Sequence, residues 1–239
     1  MKRKFKYFIH PSFIEKQSIL VSIKYLIKKY DKKLQYKNLL DVGCGSKPYA
    51  PLFKKINVIY ESIDFKEYSR HPSFELPDFY FNKNYKKDFR LSQFKNNSYD
   101  IITAFQVLEH HEKCEVFFSE ANRILKKGGY LMVSFPFIWE LHEEPNDFQR
   151  LTHYKIEKFC IKNNFKILES IKRGGLLSTL SQLTNTALIS TKIPKTIKIV
   201  IYLIFFLLPF QYFAYMCDFV FRNPERKVFL GYTILIKKV

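Results

Sequence analysis

Two stretches of this chain carry the residue types that chemistry needs. The first is LLDVGCGSKPY, residues 39–49, where a short apolar run ends in Asp41 and two glycines, Gly43 and Gly45, follow one residue apart. Glycines so spaced allow positive φ and let a ligand come close to the backbone. An acid roughly twenty residues on, at the end of the next strand, can accept from two ribose hydroxyls. Asp64 stands at that place. The second stretch is PFIWELHEEPNDFQRLTHY, residues 136–154, dense in ionisable groups: His142, Glu143, Glu144, Asp147, Arg150 and His153. Neutral imidazole suits proton removal at neutral pH, which makes His142 the candidate general base, with Asp147 and His153 as further catalytic candidates. The competing reading is that His142 and Asp147 only pin the loop while Thr152 caps the next helix.

The glycine loop also says which ligand it suits. The third glycine of a dinucleotide fingerprint is missing, since Pro48 and Tyr49 stand near its place. Asp41, just before the glycines, would repel a pyrophosphate but can hydrogen-bond a cationic amino-acid moiety. An adenosyl ligand with a positive charge and no phosphates satisfies both conditions.

These residues need elements to position them. Residues 13–34 place apolar side chains such as Ile19, Ile23, Leu26 and Ile27 at helical spacing, which predicts an amphipathic helix. NLLDV reads as a strand, NVIYESID as a second ending at Asp64, and Phe79 to Phe81 as a short third, followed by a loop through Asp88. YDIITAF is a strong strand. CEVFFSEANRILKK is predicted as a helix stopped by Gly128 and Gly129, and YLMVSFP as the next strand. LTHYKIEKFCIKNN reads as a helix, FKILESIKR and FLGYTILIKK as strands. Strands alternating with helices predict an α/β, Rossmann-like doubly wound sheet. The expectation is seven strands, mostly parallel, with an antiparallel last strand.

In order and spacing, LLDVGCGSKPY, ESIDF, DFRLSQFKNNSYDIITAFQVLEH and EANRILKKGGYLMVSFPF resemble the class I S-adenosylmethionine-dependent methyltransferases from about residue 38 to 137. The resemblance implies S-adenosylmethionine as cofactor. It implies Gly43 and Gly45 at the methionine end, with Asp41 before them, and Asp64 with Phe65 at the ribose. Asp88 and Phe89 would stand at the adenine. Phe105 and Gln106 would line the pocket, although Phe105 also reads as plain core. His110, in LEHH, lies near the cofactor, where Glu109 and His110 read as loop-shaping residues. More loosely, residues 142–152 resemble an H-E-x-P-x-D-F-x-R-x-T block of bacterial methyltransferases linked with surface-polysaccharide or lipid-linked sugar biosynthesis. That implies O-methylation of a glycan acceptor. Methylation of RNA or of a lipophilic small metabolite stands as the alternative, as does a non-catalytic cofactor-binding scaffold. No H-E-x-x-H motif is present and no metal centre is expected.

Composition sets the bounds. The chain has 239 residues, 47% hydrophobic, enough for one α/β domain with a core. Cys44, Cys114, Cys160 and Cys217 are scattered without a C-x-x-C pair, which predicts reduced thiols in a cytoplasmic protein. The basic start MKRKFKYFIHPSF lacks the apolar run and cleavage site of a signal peptide. The formal net charge is +18, with Lys, Asn, Ile, Phe and Tyr abundant together. A general compositional drift explains that bias, an anionic membrane is the second reading and nucleic acid the weakest, since no basic-aromatic platform accompanies it.

The remaining feature is IVIYLIFFLLPFQYFAYMC, residues 199–217, uncharged throughout. A single crossing here would put the last two strands on opposite sides of a bilayer, so a true span is disfavoured. The expected layout is one methyltransferase domain: an N-terminal helical segment at 1–37, a cofactor-binding core at 38–175, an apolar helical insertion at 176–230 and the last strand at 231–239. The insertion, with basic residues around it, either contacts an anionic membrane through 197–227, at the inner face of the cell membrane, or packs on the sheet or forms a homodimer face.

Overall fold

The computed structural model describes residues 12–66, 75–81, 90–201, 207–221 and 225–239. The chain divides into two compact units: Met1–Ser22, Phe137–Glu140 and Lys172–Gly231 form one, and Ile23–Pro136, Leu141–Ile171 and Tyr232–Val239 the other.

Along the chain come α1 (Phe13–Leu34), β1 (Asn38–Val42), α2 (Ala50–Lys54), β2 (Ile59–Asp64), β3 (Phe79–Tyr80) and β4 (Tyr99–Phe105). They are followed by α3 (Cys114–Ile124), β5 (Leu125–Pro136), α4 (His153–Lys162) and β6 (Phe165–Arg173). Last come α5 (Leu176–Ser190), α6 (Lys195–Val200), α7 (Leu207–Val220) and β7 (Gly231–Lys238). The strands form a seven-stranded sheet in the order β3-β2-β1-β4-β5-β7-β6. β1 pairs in parallel with β2 and with β4, β2 with β3, and β4 with β5. The Leu230 amide donates to Arg173 O and the Val239 amide to Asn164 O, so β7 runs antiparallel to β6, as expected. Chain order reverses between β1 and β4, and the crevice beyond their carboxyl ends is where such a sheet holds ligands.

The central strands read as apolar runs because both faces are covered. Leu39, Leu40, Val42, Ile101, Ile102, Leu131 and Val133 are wholly buried. Helix α3 contributes Phe117, Phe118, Ala121 and Ile124 to the core. Helix α1 buries Ile19, Ile23, Leu26 and Ile27, the residues whose spacing predicts it. Two boundaries differ from the sequence reading. Helix α3 ends at Ile124, and the LKKGG segment, expected to finish it, already belongs to β5. Leu125 pairs with Tyr99 and Tyr130 with Ile101, so the extra residues form a bulge. Gly128 takes φ +78, and a side chain on Gly129 would strike Lys126 O at 2.9 Å. The second strand starts at Ile59 because Asn57 turns with φ +55.

In the other unit, Phe13, Ile14 and Leu230 form a small core flanked by Trp139, Tyr212 and Tyr215. Arg173 is fully buried and donates to Glu15 Oε1 at 2.6 Å. Helix α5 has its N-terminus held by Asp218, whose Oδ2 accepts from the Ser178 amide at 2.7 Å. The insertion is helical, as expected, but its polarity is reversed. Ser178, Thr179, Ser181, Gln182, Asn185 and Gln211 are buried, with Asn185 donating to Gln211 at 3.0 Å. Leu176, Ile189, Ile197, Phe213, Phe219 and Phe221 are exposed. Among the described residues no helix is long and apolar enough to cross a membrane.

Candidate active site

The glycine loop leaves β1 and enters α2. Gly43 has φ +70, and a Cβ there would stand 2.5 Å from Val107 Cγ2, just after β4. Gly45 has φ +50, and among the described residues a Cβ on it would meet nothing within 4 Å. The first glycine is therefore demanded by packing, the second by backbone conformation beside open space. Asp64, at the end of β2, grips this loop: its Oδ2 accepts from the Gly45 amide at 2.6 Å and its Oδ1 from the Phe65 amide at 2.7 Å. Burial pushes the Asp64 carboxyl up, the two amides pull it down, and the charge of Glu143 pushes it up again. Phe65 packs against Phe81.

Asp41 is buried in the sheet, accepting from Thr103 Oγ1 at 2.6 Å and from the Tyr60 hydroxyl. Burial raises its carboxyl to about 6 against the pull of those hydrogen bonds. Lys47, also buried, pairs with Asp78 at 3.2 Å, tying the loop to the start of β3. Phe105 is buried, edge-on to Tyr49 and stacked near Phe53, under the loop. Gln106 takes φ +58, and its side chain donates to Ser134 Oγ at 3.0 Å. Asp88 and Phe89 lie outside the described residues.

The turn after β4 and the loop after β5 are sewn together. The Phe148 amide donates to Glu109 O at 2.9 Å. Gln149 Nε2 donates to Leu108 O at 3.1 Å and to His111 O at 2.5 Å. Asp147 anchors the far side of the loop. Arg150 clamps it with two hydrogen bonds, at 2.5 and 2.7 Å, and the His142 amide donates to it at 3.1 Å. Burial pushes the Asp147 carboxyl up, but Arg150 and the His142 amide outweigh it and hold it at about 2. The same Oδ2 lies 3.1 Å from His142 Nδ1.

The structure thus brings His142 and Asp147 together. His153 stands outside this cluster, against Tyr154 and Tyr232, as the first residue of α4. Thr152 caps α4, accepting from the Lys155 amide at 3.4 Å. What the sequence reading underrated is Glu109. It is wholly buried, and His110 and His142 point Nε2 at its Oε1 from 3.9 and 4.0 Å. The sequence sets Glu109 and His110 side by side in LEHH, but it gives no sign that Glu109 is buried or that His142 joins them.

A methyltransferase domain family model matches residues 19–173. That is more than half of the chain, and the chain belongs to this family. Its sequence is 32% identical over 115 residues to the uncharacterized protein MJ0638 of Methanocaldococcus jannaschii, covering 48% of this chain and 47% of that one. It is 25% identical over 124 residues to a ubiquinone biosynthesis O-methyltransferase of Pelagibacter ubique, covering 50% and 49%. The chain spans about half the length of these curated relatives. Among solved structures, a Galdieria sulphuraria protein described as a sarcosine dimethylglycine methyltransferase aligns with TM-score 0.54 and 14% identity, over 91% of this chain and 84% of that one. A Haemonchus contortus phosphoethanolamine N-methyltransferase bound to S-adenosylhomocysteine aligns with TM-score 0.53 and 13% identity, over 91% and 52%. The [4+2]-cyclase SpnF also aligns, at 0.52 and 16%, over 91% and 80%, so the fold by itself does not fix the reaction. S-adenosylmethionine is the cofactor of this methyltransferase family.

Two expectations follow. Gly43→Ala lowers stability and abolishes binding of S-adenosylhomocysteine. Gly45→Ala costs only about 1–2 kcal/mol of backbone strain yet weakens binding at least tenfold. Thermal melts and calorimetric titration measure both. Asp147 titrates below the ~3.9 of a free aspartate, so its stabilisation is complete above that pH and disappears as pH falls toward 2. Unfolding free energy measured between pH 5 and 2 falls less steeply in Asp147→Asn than in the parent.

Proposed function

We propose that this chain transfers the methyl group of S-adenosylmethionine to a hydroxyl oxygen of a sugar or lipid-linked glycan. Gly43, Gly45, Asp64 and Phe65 are assigned to the cofactor, with Asp41, Phe105, Gln106 and His110 behind or beside them. Two observations support a fit. Among the described residues the Gly45 Cβ direction is open, and an acid, Asp64, ends β2 beside it. When bound, that cofactor supplies an already activated methyl group. The protein's task is to position the acceptor in line and to ease loss of its proton.

The observation that carries the oxygen reading is the His142–Asp147 pair. A hydroxyl is a poor nucleophile until it loses its proton. An imidazole with Nδ1 held by a carboxylate presents Nε2 for that purpose. The loop bearing it leaves the carboxyl end of β5, next to the turn after β4. The Pelagibacter ubique relative is itself named a ubiquinone biosynthesis O-methyltransferase, which supports, as the second reading, a lipophilic small metabolite as acceptor.

The reversed polarity of the insertion supports an acceptor reached at an anionic membrane surface. Exposed Phe213, Phe219 and Phe221 offer apolar area, and exposed Lys192, Lys195 and Lys227 flank it with positive charge. Sedimentation with phosphatidylglycerol vesicles measures this. The protein pellets with them and not with phosphatidylcholine alone, and Phe219→Ser with Phe221→Ser lowers the bound fraction severalfold. Equal recovery in the supernatant with both lipids contradicts membrane contact.

The acceptor is tested by incubating the protein and methyl-labelled S-adenosylmethionine with an extract of its own cells, then separating lipid-linked, soluble and RNA fractions. Label appears in the lipid-linked or glycan fraction, and His142→Ala lowers its rate at least hundredfold with S-adenosylhomocysteine affinity unchanged. Label in RNA overturns the glycan acceptor. Undiminished turnover in His142→Ala removes that residue from the chemistry.

A further inference from the structure

The geometry around Glu109 asks for something more than a base. The His110 Nδ1 lies 2.9 Å from Asn146 O, and a carbonyl only accepts, so that nitrogen carries the proton. The His142 Nδ1 faces the Asp147 carboxylate in the same way at 3.1 Å. In the neutral rings both Nε2 atoms therefore present lone pairs. Both lie near one carboxylate oxygen, Glu109 Oε1, at 3.9 and 4.0 Å. These three ligand atoms lie within 4.8 Å of one another. The exposed Glu143 brings Oε2 to 4.0 Å from His110 Nε2. Such separations are too long for direct hydrogen bonds. The three ligand atoms surround one point closely enough that a modest contraction would reach the ~2.0–2.2 Å bonds of a bound transition metal.

We propose that Glu109, His110 and His142 form a site for a divalent transition-metal ion, with Glu143 on its open side. Two imidazoles and a carboxylate favour zinc, cobalt, manganese or ferrous iron over calcium or magnesium. The supporting contacts of such a site are already present. Asn146 O fixes the ring of His110, and Asp147, clamped by Arg150, fixes that of His142. The ion's role is to bind the acceptor oxygen and lower its pKa. The acceptor hydroxyl then gives its proton to solvent. Its oxygen forms the new bond to the methyl carbon as the carbon–sulfur bond breaks, and that electron pair stays on sulfur. In this scheme His142 acts through the ion. The role rests on the oxygen-acceptor reading above; the site does not.

The test uses the full chain, stripped with chelator, and cobalt(II) alone as probe. One ion binds per chain, giving visible bands of nitrogen and oxygen ligands without a thiolate charge-transfer band. Glu109→Gln and His142→Ala each weaken binding at least hundredfold, and zinc displaces the cobalt. Because Glu109 is buried, melts of both variants without metal show whether they fold, and Glu143→Gln, at an exposed position, gives a milder loss of about tenfold. No saturable uptake, uptake unchanged in these variants, or a thiolate band overturns the site. Methyl transfer to a hydroxyl that is indifferent to the ion, with cobalt bound as expected, overturns the role and leaves the site. No cobalt uptake together with intact methyl transfer overturns the site and leaves His142 as a direct base.

Discussion

The contact between Gly43 and Val107 is the constraint on which the rest of the site depends. Val107 fills the space that a side chain on Gly43 would need, so the loop after β1 and the turn after β4 lie against each other. These are the two strand ends between which the order of the sheet reverses. A ligand held by the glycine loop is for that reason a neighbour of Glu109 and His110, two and three residues beyond Val107. The electrostatic reach of Glu143 to Asp64 expresses the same closeness from the other side.

The loop after β5 depends on that turn in its own way. Its hydrogen bonds to Leu108, Glu109 and His111 run to backbone carbonyls, so the path of the turn fixes the loop, and the His110 ring adds a contact to Asn146 O. Asp147 then converts loop position into ring orientation. It is held by Arg150 and in turn holds His142. A buried carboxylate with that many donors stays ionised and rigid, which is what a group that orients a reactive imidazole requires.

Much of this was legible in the sequence, for physical reasons. Apolar runs such as NLLDV and YDIITAF read as strands covered on both faces, and the spacing of Asp64 from the glycines sets it at the end of β2, where it accepts from the Gly45 amide. The helix and strand around Gly128 misled because glycine marks helix ends and strand bulges alike, and only the register against β4 decides between them. The cluster at Glu109 is hidden because one of its two imidazoles, His142, arrives from a loop about thirty residues later, a pairing that spacing along the chain does not reveal. In the insertion, composition announced apolar helices but not which side of them faces inward. Ser181, Gln182 and Asn185 are inside and Phe213 and Phe219 outside, an arrangement that periodicity cannot orient without the fold.

The central claim is that cofactor binding and the histidine cluster share one end of the sheet. Backbone amide NMR during titration with S-adenosylhomocysteine tests it most directly. The account predicts that the amides of Gly43, Gly45 and Phe65 shift together with those of residues 107–111 and 142–143, all saturating with a single affinity. Shifts confined to the opposite ends of the strands, or changes at the glycine loop that leave residues 107–111 and 142–143 unmoved, would contradict it.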